Sequence, residues 1–170
     1  MYQEQFEISS HDIDPDGIVR PSCLLRYMQE SANHQMRDEG PSYMELFDEG
    51  KAFILSRMVV HTYAPLHQYE QINTFNWPSE GKGATFYRCH RIERDGKVVA
   101  EALGYWALVD IHTHKLYRVG EVTFPNYTQG ELKELDGVRF SSSMSILSER
   151  TASRSTSLPS STPAMPYCMP

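Results

Sequence analysis

Three aspartates, Asp12, Asp14 and Asp16, alternate in a short turn just ahead of a predicted helix. Pro15 restricts the backbone there, and Gly17 can adopt the positive φ that closes such a loop. A helix start presents unpaired N–H groups and partial positive charge, so a carboxylate beside it can attack a carbonyl that those N–H groups polarise. The alternative is a solvated acidic turn that only precedes a core helix. The turn is therefore the candidate catalytic site.

A long helix is predicted directly after this turn, over residues 22–38. Pro21 and Ser22 are typical of a helix start, because a first-turn proline needs no N–H partner and serine caps the first turn. The apolar residues of the segment fall along one stripe, which comprises Leu24, Leu25, Met28, Ala32 and Met36. Gly40 and Pro41 are expected to end the helix.

The other predicted elements are a second short helix and a run of strands. The short helix covers residues 43–49, the strands cover residues 2–8, 52–63, 71–77, 85–94 and 97–110, a turn covers 78–83, and a further extended segment covers 116–119. Asp95-Gly96 is a strong hairpin signal between the last two strands. Because local hairpins make antiparallel neighbours, these elements predict an α+β fold in which one helix covers an antiparallel sheet.

Two details of the strands bear on how the long helix packs. Glu4 interrupts the apolar face of the first strand, which otherwise alternates regularly. In strand 97–110, Ala100, Ala102 and Gly104 leave the middle of one face without bulky side chains. This small-residue patch predicts a close approach of the long helix.

Composition limits the classes of partner and compartment. The chain of 170 residues has a net charge of −6, which argues against a nucleic-acid or anionic membrane surface, and no apolar run is long enough to span a membrane. Three widely spaced cysteines, Cys23, Cys89 and Cys168, favour a reducing compartment without a disulfide framework or zinc spacing. The N-terminus lacks signal-peptide features, so we expect a cytoplasmic protein. We also expect neither a cofactor nor a metal.

The last part of the chain differs in composition from the rest. Residues 141–170 hold ten serines, three threonines and four prolines, and they lack Trp and Phe. Such a segment buries too little apolar surface to offset the entropy of ordering it. We therefore predict one folded domain over residues 1–135 and a disordered tail over residues 136–170.

The acidic turn, Asp-Ile-Asp-Pro-Asp-Gly-Ile-Val over residues 12–19, resembles the Asp-x-Asp-Pro-x-Gly-(Ile/His)-Val turn of hot-dog thioesterases. Residues 24–32, 50–59 and 106–110 are similar to segments in the N-terminal part of the acyl-acyl-carrier-protein (acyl-ACP) thioesterase family. The resemblance covers about residues 2–125. It implies a hot-dog fold, in which an antiparallel sheet wraps one long helix, and hydrolysis of fatty acyl-ACP to free fatty acid in fatty acid biosynthesis.

Members of that family usually carry two hot-dog repeats, and the second repeat holds a catalytic Asp-x-Asn-x-His turn. Only one repeat is recognisable in this sequence. The resemblance therefore implies a homodimer through the hot-dog sheet, in which a second copy takes the place of the second repeat. The other implied partner is acyl carrier protein bearing a fatty acyl phosphopantetheine.

Matched residue by residue, the turn keeps only part of the family's catalytic set. Asp14 falls on the catalytic aspartate, which implies a role as general base or nucleophile. Asp16 falls where the family has asparagine, and Ile18 falls where it has histidine. We interpret Asp12 and Asp16 as turn formers that accept local hydrogen bonds.

The helix start supplies the other half of the implied site. Single-repeat acyl-CoA thioesterases share the aspartate and polarise the thioester with a backbone N–H at this point. Pro21 lies close to that donor position and has no N–H, so Ser22 or Cys23 would have to supply it. Three functions stay open: an acyl-ACP thioesterase, a non-catalytic acyl-binding repeat, and a standalone acyl-CoA thioesterase. The missing Asn and His, together with Pro21, favour the non-catalytic repeat for this chain taken alone.

Other side chains carry weaker candidates for chemistry. Cys23 could act as a nucleophile in the first helical turn, with simple burial as the alternative. His34 and Glu30 could form an acid–base pair or an exposed surface pair. The basic residues near the hairpin could meet an acidic carrier protein or be solvated, and they are Arg88, Arg91, Arg94 and Lys97.

Overall fold

The computed structural model describes residues 1–135 with the exception of Thr123 and Pro125. Within that range the chain forms five strands and two α-helices. They are β1 (Tyr2–Glu7), α1 (Pro21–Glu39), α2 (Tyr43–Asp48), β2 (Lys51–Thr62), β3 (Gln71–Lys82), β4 (Thr85–Arg94) and β5 (Lys97–Asp110), with a 3-10 turn at Ser10–Asp12. The predicted tail, residues 136–170, lies outside the described residues.

All five strands join one antiparallel sheet in the order β1-β3-β4-β5-β2. Helix α1 packs across one face of this sheet, chiefly against β3, β1 and β4. The predicted α+β arrangement, with one long helix on an antiparallel sheet, is confirmed. Neither α-helix of the described range is long and apolar enough to cross a lipid bilayer.

The strand bounds agree with the prediction except for β3. We predicted that β3 ends just before Pro78, whereas it continues through Pro78 to Lys82. The extension is possible because β1 pairs with β3 only as far as Asn76, so β3 is an edge strand beyond that point and the missing proline N–H breaks no ladder. The predicted extended segment 116–119 forms only isolated bridges.

Helix α1 buries a wider face than the predicted apolar stripe. Its buried residues are Cys23, Leu24, Tyr27, Met28, Ser31, Ala32, Gln35 and Met36, whereas Leu25 is only partly buried. Ala100 and Ala102 of β5 share a hydrophobic core with the first half of the helix. The predicted close approach of the helix to this small-residue patch is wrong, because α1 packs chiefly against β3, β1 and β4. The space at Gly104 is taken by a neighbouring side chain, because a Cβ there would come within 2.7 Å of Trp106 Nε1.

Helix α1 also supplies the partner of Glu4, the charge that interrupts the apolar face of β1. His34 Nδ1 lies 2.7 Å from Glu4 Oε1, and His34 Nε2 lies 3.1 Å from Glu30 Oε1. The predicted His34–Glu30 pair is therefore present, but its imidazole is half-buried and also joins the helix to the sheet. This contact explains how a carboxylate is tolerated on the inner side of the strand.

The basic residues near the β4–β5 hairpin do not form one surface. Arg88 is buried. Arg91 Nε lies 2.9 Å from Glu93 Oε1, and Arg94 Nη1 lies 2.8 Å from Glu70 Oε2. The hairpin therefore lacks the basic face that we considered as a docking surface for an acidic carrier protein.

Candidate active site

The acidic turn is a closed loop in which Asp14 binds the backbone. Asp14 Oδ1 accepts hydrogen bonds from the N–H groups of Asp16 at 2.9 Å and Ile18 at 3.0 Å, and the Asp14 N–H donates to the Ile18 carbonyl at 2.8 Å. Gly17, at φ +78°, makes the positive-φ bend that the sequence predicted. Asp14 Oδ2 makes no hydrogen bond with any residue of the described range. One carboxylate oxygen is thus fixed, while the other can accept a proton.

This turn is fastened to the loop that precedes β3. The Val19 N–H donates to the Leu66 carbonyl at 2.9 Å, and His67 Nδ1 lies 2.9 Å from the Gly17 carbonyl oxygen. Because these contacts hold the loop at two points, tertiary structure as well as turn geometry sets the position of Asp14.

The start of α1, which follows this turn in the chain, presents one uncommitted backbone donor among the described residues. Arg20 is the N-cap and Pro21, which has no N–H, is the first helical residue. The Cys23 N–H donates to the Arg20 carbonyl at 2.9 Å. Ser22 is exposed, and its N–H has no hydrogen-bond partner among the described residues. Of the two predicted donors, the geometry therefore leaves Ser22 available and Cys23 engaged.

Asp12 is the buried carboxylate of the turn, with 1% of its surface exposed. It accepts hydrogen bonds from the Tyr27 hydroxyl and from Arg26 Nη2. Burial alone would raise the pKa of Asp12, but its hydrogen bonds outweigh burial and hold the pKa below its ordinary value. Cys23 is itself buried, so the structure does not present it as an exposed nucleophile.

Sequence reasoning placed Asp12 in the turn but missed this buried cluster. Its partners Arg26 and Tyr27 lie 14 and 15 residues further along the chain, so no local spacing marks the contact. The available signal was the presence of a cation and a phenol just inside the helix that follows an acidic turn. Only the fold shows that both of them point back to the same carboxylate.

A cavity of about 420 Å³ lies between the second half of α1 and the sheet. Aromatic side chains dominate its lining, and they are Tyr43, Phe53, Phe86, Tyr87, Trp106, Phe124 and Tyr127. One wall is formed by α1 through Gln29, Ala32, Asn33 and Met36. The buried side chain of Arg88 also lines the cavity. A concave, mostly apolar space of this size is typical of a site for a small molecule or an acyl chain.

The cavity and the acidic turn are separate parts of the described structure. No residue of the turn lines the cavity, and the first α1 residue that does is Gln29. Gln29 lies seven residues after Ser22, which corresponds to roughly 10 Å along the helix axis at 1.5 Å per residue. An acyl chain whose thioester lay at Ser22 would have to run along about two turns of α1 before it entered the cavity.

Residues 1–127 match the family described as the acyl-ACP thioesterase N-terminal domain. The chain belongs to this family. The match covers the acidic turn, both helices and all five strands, so the predicted family is confirmed. Comparison with curated proteins gave no match.

Solved structures of thioesterases share the fold. An acyl-ACP thioesterase from Bacteroides thetaiotaomicron has a TM-score of 0.71 and 20% identity, over 79% of this chain and 56% of that protein. A probable thioesterase from Escherichia coli has a TM-score of 0.64 and 18% identity, over 69% of this chain and 90% of that one. A 1,4-dihydroxy-2-naphthoyl-CoA thioesterase from Synechocystis has a TM-score of 0.64 and 16% identity, over 69% and 88%.

These likenesses confirm the hot-dog fold. The chain spans 56% of the Bacteroides enzyme but 88% and 90% of the Synechocystis and Escherichia coli proteins. In length it therefore corresponds to one hot-dog unit.

Proposed function

We propose that the protein is a cytoplasmic thioesterase that hydrolyses fatty acyl-ACP to free fatty acid during fatty acid biosynthesis. The observation that supports this most directly is the state of Asp14, whose Oδ1 is fixed by two backbone N–H groups while Oδ2 has no hydrogen-bond partner among the described residues. The carboxylate precedes a helix start at which, within the same part of the chain, the Ser22 N–H has no partner either. Membership of the acyl-ACP thioesterase N-terminal domain family supports the choice of substrate.

In this proposal Asp14 and Ser22 act on opposite sides of the thioester carbonyl. The Ser22 N–H donates to the carbonyl oxygen, where negative charge develops. Asp14 Oδ2 takes a proton from a water molecule as the water oxygen attacks the carbonyl carbon. The C–S bond then breaks, and the departing thiolate takes up the proton that Asp14 holds. If Asp14 is instead the nucleophile, its Oδ2 bonds to the acyl carbon as the C–S bond breaks and the thiolate departs. Water then hydrolyses this anhydride to fatty acid and the free Asp14 carboxylate, and a proton from that water goes to the thiolate.

A matched pair of aspartate variants tests this function in the full chain. Asp14→Asn should lower kcat for acyl-ACP by about 10²–10⁴-fold, because a positioned general base contributes that much. Asp16→Asn, an exposed change in the same turn, should leave kcat close to wild type. Measuring released fatty acid for the three proteins decides the point, and unchanged turnover in Asp14→Asn would remove Asp14 from the mechanism.

A non-catalytic acyl-binding repeat is the second candidate function. Two observations favour it: Pro21 offers no N–H at the first helical position, and the cavity begins roughly 10 Å along α1 from Ser22. This function requires acyl chains to bind in the cavity while the chain shows no hydrolysis above the buffer background. The third candidate, a standalone acyl-CoA thioesterase, requires a higher kcat/KM for acyl-CoA than for acyl-ACP of equal chain length.

We further propose that two copies of the chain associate through β2. This strand is an edge of the sheet, since its sheet partner is β5 alone within the described residues. Its side chains Ile54 and Leu55 are 52% and 40% exposed. A long edge strand with exposed apolar side chains is a template for pairing with a second strand.

A further inference from the structure

Arg88 is a buried cation on the wall of the cavity. The residue is 8% exposed, and its Nη1 donates to Gln35 Oε1 at 2.7 Å and to Asn76 Oδ1 at 2.6 Å. Both acceptors are neutral amide oxygens. No carboxylate forms an ion pair with Arg88 among the described residues, and neither its Nε nor its Nη2 makes a hydrogen bond there. The guanidinium therefore enters the cavity wall with donors still available.

Glu39 does not neutralise this guanidinium by direct contact. Glu39 acts on Arg88 only through space, because its oxygens are engaged elsewhere. Glu39 Oε2 accepts from Gln35 Nε2 at 2.8 Å and from the Thr128 N–H at 3.1 Å, and Oε1 accepts from the Thr128 hydroxyl at 3.2 Å. Gln35 thus separates the two charges. Burial lowers the pKa of Arg88 to about 10, which leaves it cationic at neutral pH.

A purely structural role explains the hydrogen bonds of Arg88 Nη1 but not the unused donors on Nε and Nη2. Through Nη1, Arg88 links β4 to Gln35 on α1 and to Asn76 on β3, and this cross-link helps to hold the helix on the sheet. An amide or hydroxyl side chain could serve that purpose without a buried charge. Burying a cation is costly unless an acceptor or a counter-charge meets it. The unused donors are therefore the part that needs a partner.

Two other polar side chains of this wall are satisfied within the protein, whereas Trp106 Nε1, which also lines the cavity, is buried without a hydrogen-bond partner among the described residues. The Ser79 hydroxyl donates to the Gly130 carbonyl at 2.6 Å, and the Tyr127 hydroxyl donates to the Pro41 carbonyl at 2.7 Å. The Tyr127 ring centroid lies 6.0 Å from the guanidinium carbon of Arg88. Arg88 is the one basic side chain among the described residues that line this mostly aromatic cavity. A single charged donor in such a cavity is the pattern of a pocket that fixes one polar group of a largely apolar ligand.

We propose that the cavity selects acyl groups that carry an acceptor oxygen on the chain, a carboxylate or a hydroxyl, and that Arg88 Nε and Nη2 bind this oxygen. The inference rests on the proposed function in one respect, namely that the cavity is the acyl site. An unsubstituted chain in the same space would leave the donors facing methylene groups. A site built to hydrogen-bond a substrate oxygen discriminates against analogues that lack it, because its own polar groups are then left unpaired.

Binding of fatty acids to the full chain tests this selectivity without any catalytic step. A fluorescent fatty acyl methyl ester is displaced in parallel by unsubstituted, ω-hydroxy and α,ω-dicarboxylic acids over a series of chain lengths. Each acid has one carboxyl group blocked as its methyl ester, because a free carboxylate on the unsubstituted acid could itself bind Arg88. At the lengths where the distal oxygen reaches Arg88, the substituted acids should bind about ten- to a hundred-fold more tightly, the range expected of a charged hydrogen bond. If only the dicarboxylic acid binds more tightly, Arg88 recognises an anionic group. If both substituted acids bind more tightly, Arg88 recognises any acceptor oxygen.

Substitution of Arg88 locates the preference. Arg88→Met should bind substituted and unsubstituted acids equally, and Arg88→Lys, which keeps the charge and a donor for Gln35, should retain the fold and lose most of the preference. If wild type binds unsubstituted acids at least as well at every length, the inference is wrong while the acyl site stands. If no fatty acid binds at all, both the inference and the assignment of the cavity as the acyl site are wrong.

Discussion

The hydroxyl of Tyr27 donates a hydrogen bond to the buried carboxylate of Asp12, two residues before the candidate catalytic carboxylate. The same hydroxyl oxygen accepts from the Ser9 N–H at 3.2 Å. The Asp12 carbonyl accepts from the Arg20 N–H at 2.9 Å. One pair of side chains therefore joins the end of β1, the acidic turn and the start of α1, and this makes Asp12 a positioning residue for Asp14.

Asp12→Asn should lower kcat by up to about 10²-fold with a much smaller change in KM, because a small displacement of a catalytic group costs that much. An asparagine turns one acceptor oxygen into a donor, which then faces the donors of Arg26 and Tyr27. Steady-state kinetics on acyl-ACP checks this prediction, with Asp16→Asn as the control. A change in KM alone would show that Asp12 does not position the catalytic group.

The difference in stability between wild type and Asp12→Asn should depend on pH. The pKa of Asp12 is lowered below its ordinary value of 3.8, so its contribution to the unfolding free energy is complete above about pH 4 and is lost as the pH falls through the lower folded pKa. At neutral pH Asp12→Asn should therefore cost about 1–3 kcal/mol of unfolding free energy. Chemical denaturation of wild type and Asp12→Asn at several acidic pH values measures the difference in their unfolding free energy. A difference that grows as the pH falls would contradict this prediction.

The sequence predicted the elements well and the buried polar contacts poorly. Strands β4 and β5 and the cap of α2 follow from local patterns, such as Asp95-Gly96 and the Ser42–Glu45 capping box. Asp14 was predicted as the candidate carboxylate because its turn has a short, ordered motif. Gln35, by contrast, is an ordinary polar residue in its helix, and only the register of β4 against α1 brings Arg88 to it. Long-range polar contacts of this kind leave no periodic signal.

Ile54→Lys should convert a dimer of the chain into a monomer. A lysine at this exposed position of the β2 edge places a charge where a second strand would pair. Natural edge strands carry such charges to prevent association. Light scattering coupled to gel filtration measures the mass of each protein. Val98→Lys, at another exposed apolar residue near the β4–β5 hairpin, should leave the mass unchanged. A monomeric wild type would overturn the association through β2.

His90→Leu should stabilise the protein in mild acid. His90 is 3% exposed, and neither ring nitrogen has a hydrogen-bond partner in the described range. Burial and the neighbouring charge of Arg88 lower its pKa from 6.5 to about 3. Between these two values the unfolded chain binds a proton that the folded chain does not, so the unfolding free energy falls on acidification by up to about 1.4 kcal/mol per pH unit.

The variant removes this proton linkage and two unsatisfied polar atoms together. Its unfolding free energy should therefore depend less steeply on pH between about 6.5 and 3 than that of wild type. His11→Leu, at an exposed histidine, is the matched control. Urea denaturation at several pH values measures the unfolding free energy of each protein. If that free energy changed with pH in the same way for wild type and His90→Leu, His90 would have the same pKa in the folded and unfolded chain, and the prediction would be wrong.

Pro21→Ala should raise kcat by about ten-fold or more if the thioester carbonyl lies at the start of α1, since one backbone donor to a developing oxyanion is worth about 10²–10³-fold when removed. Alanine is compatible with the first helical turn and adds the N–H that proline lacks. Ser22→Ala keeps its backbone N–H and should leave kcat unchanged, which separates backbone from hydroxyl donation. The same assay distinguishes the two leading functions. If wild type is inactive and Pro21→Ala hydrolyses acyl-ACP, wild type is a non-catalytic acyl-binding repeat. If wild type is active and Pro21→Ala is no faster, the thioester carbonyl does not lie at the start of α1.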